Sequence, residues 1–298
     1  MTHDRPRLAV TLGDPRGIGA EVVRKALSDA RVQAACRLVV VGPDGLETCA
    51  DESVGPWHAG DGAAAAGRLS GLAIERAVRL AKSGAVQGIV TAPIDKHALL
   101  AGGYDFPGHT EMLAALTGAR VAMMLASDRL RVVLATTHIA LRDVPAAVTA
   151  GAIADVARTT RAGLQDWFGI ASPRIALCAL NPHAGDHGRF GDEDERVLAP
   201  VARAESLAGP FPADTVFVRA MHGEFDAVIA PYHDVGMTAI KVASFGHAVN
   251  VTLGLPWPRT SPDHGTAMDI AGKDLADPGS TIEAILLCAS IAAVLLER

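Results

Sequence analysis

The feature that most constrains this chain is a series of short apolar runs, most ending in a polar segment rich in Gly, His, Asp or Asn. The runs are Leu8–Leu12, Arg37–Gly42, Gly88–Pro93, Arg120–Leu125, Arg131–Thr137, Arg174–Leu180, Asp226–Tyr232 and His247–Leu253. Several are almost continuously apolar, as strands covered on both faces must be. Longer stretches with helical spacing lie between many of them: residues 17–29, 69–84, 149–169 and 280–298. Gly84 stands where the second would be capped. Alternating strands and helices predict an α/β architecture with largely parallel pairing. In such folds functional groups gather beyond the carboxyl ends of the strands. The polar segments GDPRGIG, TAPIDK, THIALRD, NPHAGDHG, YHDVG and NVTLG fall there.

Composition removes several function classes. A hydrophobic fraction of 49% across 298 residues supports a large core, in one large domain or two medium ones. The net charge of −6 and the lack of a dense Lys/Arg stripe exclude a long polyanion as partner. A small anion needs only one or two placed cations and stays open. Cys36, Cys49, Cys178 and Cys288 are scattered and form no CxxC pair, which argues against a disulfide scaffold or a cysteine zinc site. No signal peptide is read ahead of the first apolar run, so a cytoplasmic location is expected. The run IEAILLCASIAAVLLER contains Glu283 and is short for a membrane span, so it is read as a buried or interface helix.

The segment TLGDPRGIGAEVV reads as strand, tight turn and helix start. Gly17 and Gly19 permit close backbone approach, either to an anion or to a packed neighbour. The segment is not GxGxxG, and no strand–GxGxxG–helix unit with a ribose-reading acid occurs elsewhere. Any nicotinamide must therefore bind in another way. His138, His183 and His233 each directly follow a strand-like run, and neutral imidazoles suit zinc and related ions. Their spacing is far too wide for a local motif. Either the fold gathers them, or each caps and packs separately. His187, His222 and His264 are weaker candidates, and Asp234 is placed to orient an imidazole. Asp143 is read as a salt-bridge partner in the surroundings of Arg142.

Beyond single motifs, the chain resembles the 4-hydroxythreonine-4-phosphate dehydrogenase family of vitamin B6 biosynthesis. The resemblance runs in order through TLGDPRGIGAE, TAPIDKHAL, FPGHTEMLA, THIALRDVP, LNPHAGDHGRFGDED, GPFPADTVF, PYHDVGM and VNVTLGLPWPRTSPDHGTAMDIAG, nearly the whole sequence. It implies a two-lobed α/β/α fold like isocitrate and isopropylmalate dehydrogenases, with a non-Rossmann NAD or NADP site. It implies a cofactor-associated lobe of residues 1–110 plus 245–298, and a metal and dimerisation lobe of 111–244. It implies a homodimer with the active site at the subunit interface, and no nucleic-acid or membrane partner. The family's metal positions fall on His138, His183 and His233, holding one divalent ion: zinc, with magnesium, cobalt or manganese as alternatives. Its substrate positions fall on His109, Thr110, Lys241, Asn250 and Arg259. Its cofactor loop falls on Asp263, His264, Gly265, Thr266 and Asp269.

The implied reaction is NAD(P)-dependent oxidation of 4-phosphooxy-L-threonine at C3, with decarboxylation to 3-amino-2-oxopropyl phosphate. Lys241 and Asp214 are the candidates for general base, and His109 could also transfer a proton. The closest alternative substrates are 4-phospho-D-threonate and 4-phospho-D-erythronate. A non-enzymatic metabolite-binding protein and a metal-dependent phosphohydrolase are further alternatives. Three features depart from the family pattern. Val235 stands where Gln is frequent, Arg16 where a small residue is common, and the chain is shorter than most members.

Overall fold

A computed structural model describes residues 5–244 and 246–297. The described residues form eleven strands: β1 Arg7–Thr11, β2 Arg37–Asp44, β3 Glu52–Pro56, β4 Gly88–Thr91, β5 Ala122–Ala126, β6 Arg131–Leu134, β7 Ile175–Cys178, β8 Ala208–Phe211, β9 Ala227–Ala230, β10 Val249–Leu253 and β11 Arg259–Pro262. Each of the eight apolar runs overlaps a strand. The chain divides into two compact units, 1–119 with 255–298, and 120–254.

In the first unit the strands run in the order β3-β2-β1-β4-β11, and each pair is parallel. Every residue of β4 is buried, as layers on both faces require. The helix Ala63–Lys82 covers part of the sheet with a stripe that includes Leu69, Ala73, Ile74, Ala77 and Val78. Gly84 ends it as expected: at φ +75° its amide donates to the Ala81 carbonyl at 3.0 Å. The helix Gly279–Leu296 is long and apolar enough to cross a membrane by composition. Here it lies on β4 and β11. Its inward face carries Ile282, Ile285 and Ile291, and burying each such side chain stabilises by about 1.5–3 kcal/mol.

In the second unit the order is β10-β5-β6-β9-β7-β8. Pairing is largely parallel, as expected, with β5 as the exception. β5 is antiparallel to both β10 and β6. Only four residues separate β5 from β6, whereas a parallel crossover needs a dozen or more. A Ser127–Leu130 turn closes this hairpin, with Ser127 N donating to Leu130 O at 2.9 Å and the Ser127 hydroxyl accepting from Leu130 N at 3.2 Å. β6, β9 and β7 then run parallel, so their carboxyl ends lie side by side.

Candidate active site

His138 follows β6 and His233 follows β9, two strands that pair directly. The loops leaving them are tied together: Ala135 N donates to Ala230 O at 2.9 Å, and the Thr136 hydroxyl to Pro231 O at 2.8 Å. His233 starts the helix His233–Ala243. That helix can sit close to β6 because position 236 is glycine. A Cβ there would stand 2.6 Å from Leu134 Cδ2 and 2.9 Å from Val132 Cγ1. The imidazoles of His138 and His233 are consequently 5.7 Å apart between centroids. His233 Nδ1 lies 2.7 Å from Asp234 Oδ1. This contact sets the ring's orientation and leaves Nε2 as the nitrogen available to a ligand.

His183 follows β7 and borders a different pocket of about 340 Å³, shared with Asp214, Tyr232 and Val235. The His138–His233 pair borders one of about 150 Å³. Among the described residues, no three His, Cys, Asp or Glu side chains converge closely enough to hold a metal ion. Within one chain the structure thus brings two of the three expected histidines together and leaves the third apart.

The His183 loop has unusual backbone geometry. His183, Ala184, Asp186 and His187 have φ of 53°, 55°, 44° and 55°, and Gly185 and Gly188 complete a left-handed turn. A left-handed residue other than glycine costs roughly 1–2 kcal/mol, so neighbouring interactions must hold this turn in place. Asp214, in the first turn of Ala213–Met221, borders the His183 pocket and an apolar groove of about 750 Å³. Tyr232 borders both pockets and the groove. It lies inside the recognised YHD segment, but nothing local distinguishes it from an ordinary core tyrosine. Lys241 is exposed in the last turn of its helix. Asn250, in β10, keeps a buried Oδ1 with no hydrogen-bond partner.

The first unit holds the remaining candidates. Arg259 on β11 is 2% exposed, and its Nη2 donates to the Thr91 hydroxyl at 2.5 Å. Burial pulls its guanidinium down to about 10. His109 and Thr110 open the helix His109–Thr117. His109 Nε2 is sealed from solvent. Burial, reinforced by the charges of Arg259 and Lys96, holds the imidazole well below its ordinary value of 6.5. His109 is therefore neutral near pH 7. The unfolded chain takes up this proton as pH falls through 6.5 while the folded chain does not, so stability is lost on acidification. The slope reaches at most about 1.4 kcal/mol per pH unit. Urea unfolding at pH 7.5 and 5.5 should show a larger acid loss for the native sequence than for His109→Asn. Equal losses would refute the assignment.

The glycine loop packs against the chain itself. A Cβ on Gly19 would lie 2.1 Å from Leu12 O, and one on Gly17 would lie 2.8 Å from Thr266 O. Ile18 N donates to Thr266 O at 2.9 Å. The loop therefore buttresses the segment carrying Asp263, His264, Gly265, Thr266 and Asp269. Arg16 forks onto the buried Asp14, with Nη2–Oδ2 at 2.7 Å, and comes within 3.7 Å of Asp95. Its charge is thus already matched by carboxylates. Arg142 and Asp143 approach to 3.9 Å on an exposed surface.

Comparison with known proteins adds a family context. The profile of the family described as "Pyridoxal phosphate biosynthetic protein PdxA" matches residues 18–288. A 4-hydroxythreonine-4-phosphate dehydrogenase from Desulfosudis oleivorans is 42% identical, over 99% of both chains. A D-threonate 4-phosphate dehydrogenase from Cupriavidus necator is also 42% identical, over 98% of this chain and 99% of its own. A crystal structure of 4-hydroxythreonine-4-phosphate dehydrogenase from Klebsiella pneumoniae superposes with a TM-score of 0.86 at 36% identity, covering 98% of this chain and 99% of that one.

Proposed function

The chain belongs to the PdxA family of pyridoxal phosphate biosynthetic proteins, and on that premise we propose that it is a metal-dependent NAD(P) dehydrogenase oxidising 4-phosphooxy-L-threonine. Oxidation at C3 is followed by decarboxylation to 3-amino-2-oxopropyl phosphate. The observation that carries this reading is the His138–His233 pair, 5.7 Å apart beyond adjacent strands, with His233 oriented by Asp234. The donor set suits a divalent ion of the zinc class. Two imidazoles are too few for a stable site, and His183 is the third. The exposed Ile139, Leu141, Phe190, Val218 and Val242 surround this region with apolar surface. A homodimer that buries them, with His183 of one copy completing the pair of the other, accounts for both features.

When bound, the divalent ion supplies Lewis acidity toward the substrate hydroxyl, and the nicotinamide supplies the oxidant. The protein's own groups do the rest. Arg259 and Lys241 match phosphate and carboxylate charge. Thr110 and Asn250 offer hydrogen bonds, and the buried Asn250 Oδ1 still needs a donor. His109 binds as a neutral imidazole. Asp214 or Lys241 accepts the hydroxyl proton. The loop from Asp263 to Asp269 holds the nicotinamide without a Rossmann turn, in the manner of the two-lobed decarboxylating dehydrogenases, and the protein works in the cytoplasm. Gly17→Ala should displace that loop and raise KM for the nicotinamide several-fold, while KM for the phosphorylated substrate stays within about twofold. Steady-state kinetics with each substrate varied in turn check this.

A second reading, oxidation of D-threonate 4-phosphate, is favoured by the equal identity to the Cupriavidus necator enzyme. One assay separates the two. 4-Phosphooxy-L-threonine, 4-phospho-D-threonate and 4-phospho-D-erythronate are compared with NAD and NADP under controlled metal. Turnover of the threonate without turnover of 4-phosphooxy-L-threonine would reject the first reading.

A further inference from the structure

The left-handed turn that presents His183 is unfavourable for its non-glycine residues, yet the loop before it is firmly anchored. The anchor is Asp194, a carboxylate only 1% exposed. Its Oδ1 accepts from Leu180 N at 2.8 Å. Its Oδ2 accepts from Asn181 N and Asn181 Nδ2, both at 3.0 Å. Asn181 Nδ2 donates in addition to Glu193 Oε2 at 2.8 Å. Two glycines let the segments close on each other. A Cβ on Gly191 would lie 2.6 Å from Asn181 Nδ2, and one on Gly185 would lie 2.8 Å from Gly191 O. Phe190 N donates to Gly185 O at 3.1 Å and closes the far end.

Three donors thus converge on one buried carboxylate immediately before Pro182 and His183. Their loss would release the entry to the turn while leaving β7 intact, because Asp194 bonds only to groups beyond that strand's last residue. Charge-assisted bonds of this kind are among the strong ones. We propose that Asp194 is a positioning residue for His183: its carboxylate fixes where the left-handed turn begins and so where the imidazole stands when a divalent cation binds. The proposal rests on the reading of His183 as a ligand. Asp194 itself touches neither cation nor substrate.

The test is a double-mutant cycle on the full-length protein, stripped with a chelator and titrated with cobalt chloride under visible absorption. Asp194→Asn should weaken cobalt binding by about 10–100-fold and lower the intensity of the visible bands. In a His183→Ala background the same substitution should change the Kd by less than about twofold, since the group it acts through is gone. Melting of the metal-free proteins monitors the fold. Should Asp194→Asn fail to fold, Asn181→Ala replaces it in the cycle, with a several-fold weakening expected. Unchanged binding in the single variant, or equal weakening in both backgrounds, would overturn the positioning role while His183 remains a ligand. Unchanged binding in His183→Ala alone would instead overturn the ligand reading, and the positioning role with it.

Discussion

Replacing His233 by alanine should cut turnover by about a thousand-fold or more and strip the purified protein of the divalent metal proposed for the His138–His233 pair. Each factor of ten in rate is about 1.4 kcal/mol, and Lewis-acid stabilisation of a developing charge supplies several. The His138–His233 pair offers no local substitute, because no third ligating side chain converges on it within the described residues of one chain. His138→Ala should behave alike. Asp234→Asn should cost less, about 10–100-fold, since it removes only the group orienting Nδ1. Metal content by elemental analysis, read beside kcat/KM, checks all three variants. A His233→Ala protein that keeps both metal and activity would end the metal assignment.

The second large effect concerns Arg259, where activity and stability should part company. The residue is 2% exposed, and burial is what lowers its pKa, to about 10. A charge kept out of water is an energetic burden on the empty protein, and an apolar side chain of similar volume commonly relieves it. Arg259→Met should therefore leave the melting temperature unchanged or raise it. The same change removes the cation proposed to receive the substrate's phosphate or carboxylate. kcat/KM should fall at least about a hundred-fold, since a buried anion without its counter-charge loses a few kcal/mol. Arg259→Lys should recover little, because an ammonium cannot reproduce the fork. A large loss of stability with activity per folded molecule intact would show Arg259 to be structural.

Much of the architecture was readable because burial on both faces leaves an apolar signature. β1, β4, β7 and β9 show it plainly. The strands that escaped have other reasons to be strands. β3 and β8 are the outer strands of their units, only partly buried, and β8 contains Pro210, which an edge tolerates. β11 is fully buried yet reads RTSP: Arg259 donates to the Thr91 hydroxyl and Thr260 to Ala284 O at 2.7 Å. The site was legible in part for the same reason. That His138 and His233 each follow a strand could be seen. That the two strands are neighbours could not, since nothing local records the pairing of β6 with β9. The left-handed turn at His183 was hidden as well. Its glycines suggest a bend, but the carboxylate that anchors the entry to it belongs to Asp194, more than ten residues further along the chain.

The pairing of β11 with β4 has a consequence for biosynthesis. Arg259 lies opposite Ile89, with the entire second unit between them in the chain. A ribosome therefore delivers residues 120–254 in full before the first unit can receive its last strand. The second unit is contiguous, and its entry and exit touch: a Cβ on Gly254 would lie 2.1 Å from Arg120 O. It can thus fold as soon as it emerges, while the earlier-made strands wait with one edge of β4 open. Proteolysis of chains stalled when residue 254 has just left the exit tunnel should find the later-synthesised unit already resistant and the earlier one still cleavable.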